Sequence, residues 1–345
     1  MMRARLFLSI ALCLALLAGC QSAVVAPIVS APGTSGAVGA PPQAPQPAQT
    51  ALRPPVAPAP AATLLDPAYS NELNRWRAER LQNLTRDDGW LTVAGLYWLK
   101  PGVNSAGSGP NNTVIFPRDK APEKTGTFLL QNGAVSFTPL PHAGVTFGGK
   151  PLLQTIQLKS DAESQDKPTL LDLNSLRFYI IKRGDLVGVR IKDFKSAARA
   201  NFKGLNYFEA SPTWRIEAKL VPHNPPKKIS IVNVLGMRAE ESSPGTLVFS
   251  INGKTYSLDA VGENNATQLD IMFADDTNGR DSYGAGRYLD AVKVPGKADM
   301  YLLDFNKSYS PPCAFTRFAT CPLPPPQNRL KVSVTAGEKN YTGAN

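Results

Sequence analysis

Histidine is nearly missing from this chain: His142 and His223 are the only two in 345 residues. A serine–histidine triad or an imidazole-rich metal centre would have to use one of them. Both lie beside prolines, in Pro141-His142 and Pro222-His223-Asn224-Pro225-Pro226, as exposed loop residues do. Cysteine is scarce too, with four residues, of which Cys13 and Cys20 fall in the first twenty positions. No acidic residue occurs before Asp66. No apolar run reaches the roughly 20 residues of a comfortable membrane span. Rossmann-type glycine fingerprints, P-loops, G-x-S-x-G elbows and H-E-x-x-H motifs are all absent, and no cofactor is expected. Proline, by contrast, is in excess: 31 residues against the roughly 17 that ordinary usage of about 5% would give. A composition 43% hydrophobic and 19% charged excludes disorder throughout, a coiled coil and collagen.

The N-terminus reads as an address. Arg3 and Arg5 precede an apolar run from Leu6 to Leu17, the layout of a secretory signal. The run ends in Leu17-Ala18-Gly19-Cys20, which resembles the lipobox of bacterial lipoproteins. That resemblance implies cleavage after residue 19 and lipid attachment at Cys20, with Gln21 favouring the outer membrane over inner-membrane retention. Several acyl chains anchor stably where one is marginal. From 20 to 62 the chain is rich in Ala, Pro, Gln and Ser, with ten prolines and Arg53 as its one charge. Such a segment cannot bury enough apolar area to offset its ordering entropy, so a disordered tether is expected. Beyond it lie 34 basic and 27 acidic residues, a net of +7. The expected setting is outer-membrane anchored and periplasm-facing. Its partners are then the membrane itself, through the anchor, and an envelope glycan, a small anionic ligand or an envelope protein; nucleic acid is not expected.

The folded part should begin near Thr63. Asp66-Pro67 offers an N-cap and a first-turn proline. Leu73, Trp76, Leu81 and Leu84 then recur at helical spacing to about Asp88-Gly89. After Trp90 the signals are strands and tight turns: Asn132-Gly133, Gly148-Gly149, Gly184-Asp185 and Asn252-Gly253, each between alternating segments. Alternation returns at Trp214/Ile216/Ala218/Leu220, Leu269/Ile271/Phe273 and Leu330/Val332/Val334. Strands at short spacing mean a mainly β protein: two packed antiparallel units, sandwich- or barrel-like, behind a short N-terminal helix. The expected units are 63–200 and 201–345. Between them, Lys192, Lys195, Arg199 and Lys203 would share a face if that stretch is helical; a solvated connector is the simpler reading.

Two resemblances sharpen this reading. Residues 102–112, rich in Gly, Ser and Asn, are followed by a strand and a glycine-turned hairpin, and with Phe147-Gly148-Gly149-Lys150-Pro151-Leu152 they loosely resemble forkhead-associated domains. Ser108 stands where that family carries its phosphate-binding Arg, and no Ser-x-x-His follows. The resemblance thus supports a sandwich and argues against phosphothreonine capture. The C-terminal signature is more specific: Phe273-Ala274-Asp275-Asp276-Thr277-Asn278-Gly279, Tyr283-Gly284-Ala285-Gly286-Arg287, Leu303-Asp304-Phe305-Asn306, Ser310-Pro311-Pro312-Cys313 and Asn328-Arg329-Leu330. With Gly89-Trp90-Leu91 and Gly95-Leu96-Tyr97-Trp98-Leu99 upstream, it closely resembles the bacterial family called domain of unknown function 1684, from about Tyr69 to Lys339. Membership implies no particular activity.

Candidate chemistry concentrates in that tail. Asp275 and Asp304 could supply general acid–base hydrolysis of an envelope glycan or ester. Tyr283, Arg287, Asn306, Tyr309 and Arg329 could bind a ligand, with the Tyr-Gly-Ala-Gly-Arg glycines forming an anion nest beside Arg287. The same residues equally form a buried Arg–carboxylate brace, with Glu338 as a further carboxylate. On balance the expectation is a non-catalytic binding or scaffolding module. Cys313 and Cys321, with seven residues between them, read as a disulfide in an oxidising compartment, with free or redox-active thiols and a metal site as alternatives; no metal is expected.

Overall fold

The computed structural model describes residues 65–163 and 167–343. The expected signal peptide, the Cys20 attachment site and the whole tether lie outside the described residues. The described residues form one compact unit.

Among the described residues the architecture is mainly β, with three sheets and no closed barrel. Leading into them, the helix Pro67–Thr85 starts as the sequence indicates: Asp66 accepts from the amides of Ala68 and Tyr69 at 2.9 and 3.1 Å, and proline occupies the first turn. It stops a few residues earlier than expected, where Arg86 turns extended. Its anchoring also differs. Tyr69, Leu73 and Leu84 are buried, while Leu81 is 40% exposed. Trp76 is half-buried and packs on Tyr309, with ring centroids 6.4 Å apart. Polar side chains do much of the pinning, as the site geometry below shows.

The first two sheets face each other across one core. One orders Val93–Trp98, Leu186–Asp193, Leu176–Arg183, Leu171–Leu173, Thr146–Phe147 and Lys150–Pro151. The other orders Val114–Ile115, Gly102–Gly107, Gly126–Gln131, Ala134–Pro139 and Ile156–Leu158. Alternation explains the register: Phe128 pairs with Phe137 across the Asn132-Gly133 hairpin, whose residues adopt φ 51° and 77°. Both rings point inward to meet Phe178 from the opposite sheet, with centroids 4.7 to 6.1 Å apart. Phe116 stacks on the same Phe178 at 5.0 Å.

The third sheet orders Lys254–Asp259, Arg238–Ile251, Arg215–Val232, Met300–Asp304, Arg287–Lys293 and Gln268–Phe273. Its inner face carries Leu247, Phe249, Leu269, Ile271, Phe273, Leu289 and Leu303, closed over by Phe305, Leu330, Val334 and Ala336. Two expectations are corrected here. Leu330, Val332 and Val334 form no strand; they run as an irregular lid held by backbone bonds of Leu330 to Ala274 and Val332 to Asp276 and by the Val334 amide on Asp275. In the basic connector Lys192 still lies in a strand, and only Ala197–Ala200 is helical, capped by Ser196. His223 is not in a loop: it sits within the strand Arg215–Val232, half-buried, with ring nitrogens 3.3 Å from the Ser243 carbonyl oxygen and 3.1 Å from Thr246 Oγ1.

Phe178 is the shared contact of three other rings, so its loss opens a cavity where both sheets meet. Phe178→Ala is expected to cost about 3–5 kcal/mol in urea unfolding. A loss under about 1 kcal/mol would mean that the two sheets do not share this core.

Candidate functional site

Asp275 follows the strand Gln268–Phe273, and Arg287 opens the strand paired with it, Phe273 lying opposite Arg287. Both side chains are fully enclosed, and Arg287 Nη2 meets Asp275 Oδ2 at 2.7 Å. Backbone takes most of the remaining capacity, and Arg287 Nε is left buried without a hydrogen-bond partner. Asp275 Oδ1 accepts from the amides of Thr277 at 2.8 Å and Val334 at 3.2 Å. Arg287 donates to the carbonyls of Val334, at 2.8 Å, and Ala336. Phe273 and Phe208 lie over its guanidinium at 5.3 and 5.8 Å. Burial pulls the Arg287 guanidinium below its usual range and Asp275 opposes that pull. The expected anion nest is filled by protein: a Cβ at Gly286, where φ is +98°, would meet Pro324 Cγ at 2.5 Å and the Phe273 carbonyl oxygen at 2.7 Å.

Asp304 belongs to a second cluster. The Tyr69 hydroxyl lies 2.8 Å from Oδ1 and 3.0 Å from Oδ2, with Arg215 and Lys307 at 3.5 and 3.7 Å. Burial raises the Asp304 carboxyl above its usual range, against the pull of the Tyr69 hydrogen bond and both cations. Asn306 donates to the Tyr69 hydroxyl at 3.0 Å and to the Ser211 carbonyl at 2.8 Å. Glu338 forms a third cluster, taking Arg80 Nε at 2.8 Å and the Ser310 amide at 2.8 Å. Arg80 also lies over Tyr309 and Phe315, at 5.0 and 5.5 Å. Asn328 stitches the tail to the sheet through Asp259 N, at 2.7 Å, and the carbonyls of Asp259 and Met272, both at 2.9 Å. Arg329 points its exposed side chain outward, and only its backbone bridges Ala274.

One of several open clefts lies on the other face of the third sheet. A cleft of about 380 Å³ is lined by Ile231, Asp270, Met272, Tyr288, Asp290 and Tyr309, among others. Of the seven tail candidates, Tyr309 alone lines it. The others named here were missed, although their signal is legible afterwards: where Leu269, Ile271 and Phe273 point inward, Asp270 and Met272 point out. Asp270 and Asp290 lie directly opposite on neighbouring strands, a like-charge pairing that weakens a sheet. Burial, and then Asp270, raise the Asp290 carboxyl above its usual range. Tyr309 donates to Asp290 Oδ1 at 3.4 Å, and Tyr288 donates to the Pro322 carbonyl at 2.7 Å. The two rings meet edge to face at 5.8 Å. Among the described residues no group of three or more His, Cys, Asp or Glu could hold a metal ion.

The expected Cys313–Cys321 bridge is not formed: both residues are free thiols. Cys321 Sγ instead accepts the Cys313 amide at 3.0 Å, and Tyr283 hydrogen-bonds Cys313.

Comparisons with known proteins agree with the tail signature. Residues 200–339 match the family model described as protein of unknown function (DUF1684), a shorter span than the resemblance read from Tyr69. No curated protein matches the chain. Among solved structures, an uncharacterized protein from gene locus rrnAC0354 of Haloarcula marismortui is 34% identical over 41% of this chain and 78% of its own, with a TM-score of 0.35. A structure from a study of phosphothreonine-dependent FHA domain interactions is 15% identical over 28% of this chain and 92% of its own, with a TM-score of 0.20.

Two outcomes follow from this geometry. Arg287→Met leaves Asp275 buried without its cation and is expected to cost about 3–5 kcal/mol in denaturant unfolding; a cost near zero would mean that the pair braces nothing. Asp290 carries the opposite sign. Its folded carboxyl titrates above its unfolded value, so the folded state binds the extra proton and loses stability as pH rises from about 4 through the raised value. Asp290→Asn should therefore raise the melting temperature at pH 7, with the gain vanishing below about pH 4. A lower melting temperature at neutral pH would show that the Asp290 charge is favourable in the free protein.

Proposed function

We propose that this protein is a non-catalytic binding module of the cell envelope, held to the outer membrane by lipid on Cys20 and facing the periplasm, with its ligand seated between Tyr288, Tyr309 and Asp290. The observation that carries the reading is the separation of the tail carboxylates from open space. Asp275 and Asp304 are 4% and 5% exposed and already saturated by Arg287 and Tyr69, so neither can meet a substrate and a water as hydrolysis requires. Arg287 is likewise enclosed, with Asp275 and two backbone carbonyls on its Nη atoms, so an outside anion does not reach it.

The chemistry of the cleft favours a neutral ligand rich in hydroxyl groups, such as a glycan unit. Tyrosine and methionine offer apolar contact area, and the Asp270 and Asp290 carboxylates accept hydrogen bonds from hydroxyls. A sheet that keeps two opposed carboxylates gives up stability for that capacity. The Leu17-Ala18-Gly19-Cys20 motif and the Pro/Ala-rich stretch after it support the address.

Labelled palmitate should enter the protein in cells and be lost in Cys20→Ser, together with membrane fractionation; unchanged labelling would remove the anchor from the reading. For the ligand, thermal unfolding against envelope glycan fragments, phospholipid head groups and anionic metabolites is the direct test. Saturation at 100 times Kd stabilises by about 2.7 kcal/mol. The expected result is a shift with glycan fragments that disappears in Tyr309→Phe/Asp290→Asn. A shift with anions alone, or one that survives in that variant, contradicts the cleft assignment.

A further inference from the structure

The two tail thiols form a composed pair. Cys313 sits in the short turn Pro312–Ala314, half-buried. Cys321 is 4% exposed, and its sulfur is held by the Cys313 amide at 3.0 Å. The thiols also hydrogen-bond each other, with the Tyr283 hydroxyl donating to Cys313 as a third member. A phenol and a thiol that both donate to one sulfur stabilise its thiolate in the way that makes a cysteine nucleophilic. The enclosed partner sulfur is placed to act second. Arg190 adds to this setting: it is 3% exposed, packs over Trp90 at 5.3 Å, and leaves Nε and Nη2 without a hydrogen-bond partner. Its positive charge reaches Cys321 and favours an anionic sulfur there.

From this arrangement we infer that Cys313 and Cys321 are a thiol–disulfide exchange centre for low-molecular-weight disulfides, with Cys313 as the attacking sulfur and Cys321 as the resolving one. The Cys313 thiolate attacks one sulfur of the incoming disulfide. The S–S bond of the reactant breaks, and one thiolate leaves and takes a proton from water. Cys321 then gives up its proton to water and attacks Cys313 Sγ, expelling the second half of the reactant as a thiolate that is protonated in turn. The protein loses two electrons and two protons, and the reactant gains them as two thiols. The reverse sequence reduces the pair. This goes beyond an inert structural bridge, and it rests on the contacts around the two sulfurs, independently of the ligand cleft and of the lipid anchor.

The ordering of the two sulfurs has electrostatic support. Hydrogen bonds from Cys321 and Tyr283 bring the Cys313 thiol down to about 7, against the opposing effect of burial. The Cys321 thiol is pushed up, by its hydrogen bond to Cys313 and then by burial, while Arg190 pulls the other way. The ionisable groups facing the pair are therefore Tyr283, Tyr288 and Arg190.

The test uses the reduced full chain and oxidised glutathione, with peptide mapping by mass spectrometry to separate the pair from Cys13 and Cys20. Cys321→Ser should trap one glutathione on Cys313, whereas Cys313→Ser should leave Cys321 unmodified. The unsubstituted chain should pass to a Cys313–Cys321 disulfide and return to the dithiol as the ratio of reduced to oxidised glutathione is raised. Iodoacetamide should alkylate Cys313 at pH 7 about tenfold faster than an ordinary free cysteine, because much more of it is thiolate. A Cys321→Ser chain that takes up no glutathione on Cys313 overturns the assignment. So does a native chain whose Cys313 alkylates no faster than a free cysteine, or one that stays bridged across the whole glutathione range.

Discussion

A buried ion pair, Arg287 with Asp275, is the central brace of the C-terminal segment of this protein. The segment from Leu330 to Glu338 makes no strand: Leu330 and Val332 reach the backbone of Ala274 and Asp276, and Glu338 that of Ser308, while Val334 and Ala336 between them lie wholly inside. Buried polar backbone without partners is strongly unfavourable. Arg287 and Asp275 resolve this by acting as a surrogate ladder, one accepting from Val334 and the other donating to Val334 and Ala336. Because their own charges cancel, the irregular segment can close over Phe273, Phe305 and Leu303 where a strand would leave the sheet face open.

The same constraint organises what surrounds it. Once the tail is seated, Glu338 is presented to Arg80 and Asp304 to Tyr69, so the helix Pro67–Thr85 docks through polar contacts at two points along its length. The carboxylates that looked most able to do chemistry are thereby consumed by architecture. On the outer face of the third sheet Tyr288 and Tyr309 frame Asp290. Cleft and brace thus occupy opposite faces of the strand Arg287–Lys293: Arg287 and Leu289 point into the core, while Tyr288 and Asp290 line the cleft.

Local chemistry made much of this fold readable. The Asn132-Gly133, Gly148-Gly149, Gly184-Asp185 and Asn252-Gly253 hairpins all turn where glycine and Asn or Asp tolerate positive φ. The helix start followed from Asp66-Pro67. The strand Arg215–Val232 was legible only in its first half, because Pro222, Pro225 and Pro226 read as a loop; the ladder with Arg238–Ile251 shifts register between Pro222 and Lys227 and so passes the prolines. Leu330, Val332 and Val334 alternate as a strand does, but Leu330 and Val332 make single backbone bonds to Ala274 and Asp276 while Val334 bonds the side chains of Asp275 and Arg287, which periodicity cannot reveal. The cleft was hidden for a related reason. Asp270 and Asp290 stand among ordinary outward-facing polar residues, and only strand pairing sets them opposite each other.

The central claim is that the tail is locked to the sheet through Arg287 and Asp275 and does not simply lie on it. Native-state hydrogen exchange at the Val334 amide measures this directly, since that amide donates to Asp275. The account predicts that Val334 exchanges with the same opening free energy as the core amides of the strand Arg287–Lys293, through global unfolding alone. Exchange of Val334 at a free energy well below that of the strand would show the tail opening on its own, and would contradict the account.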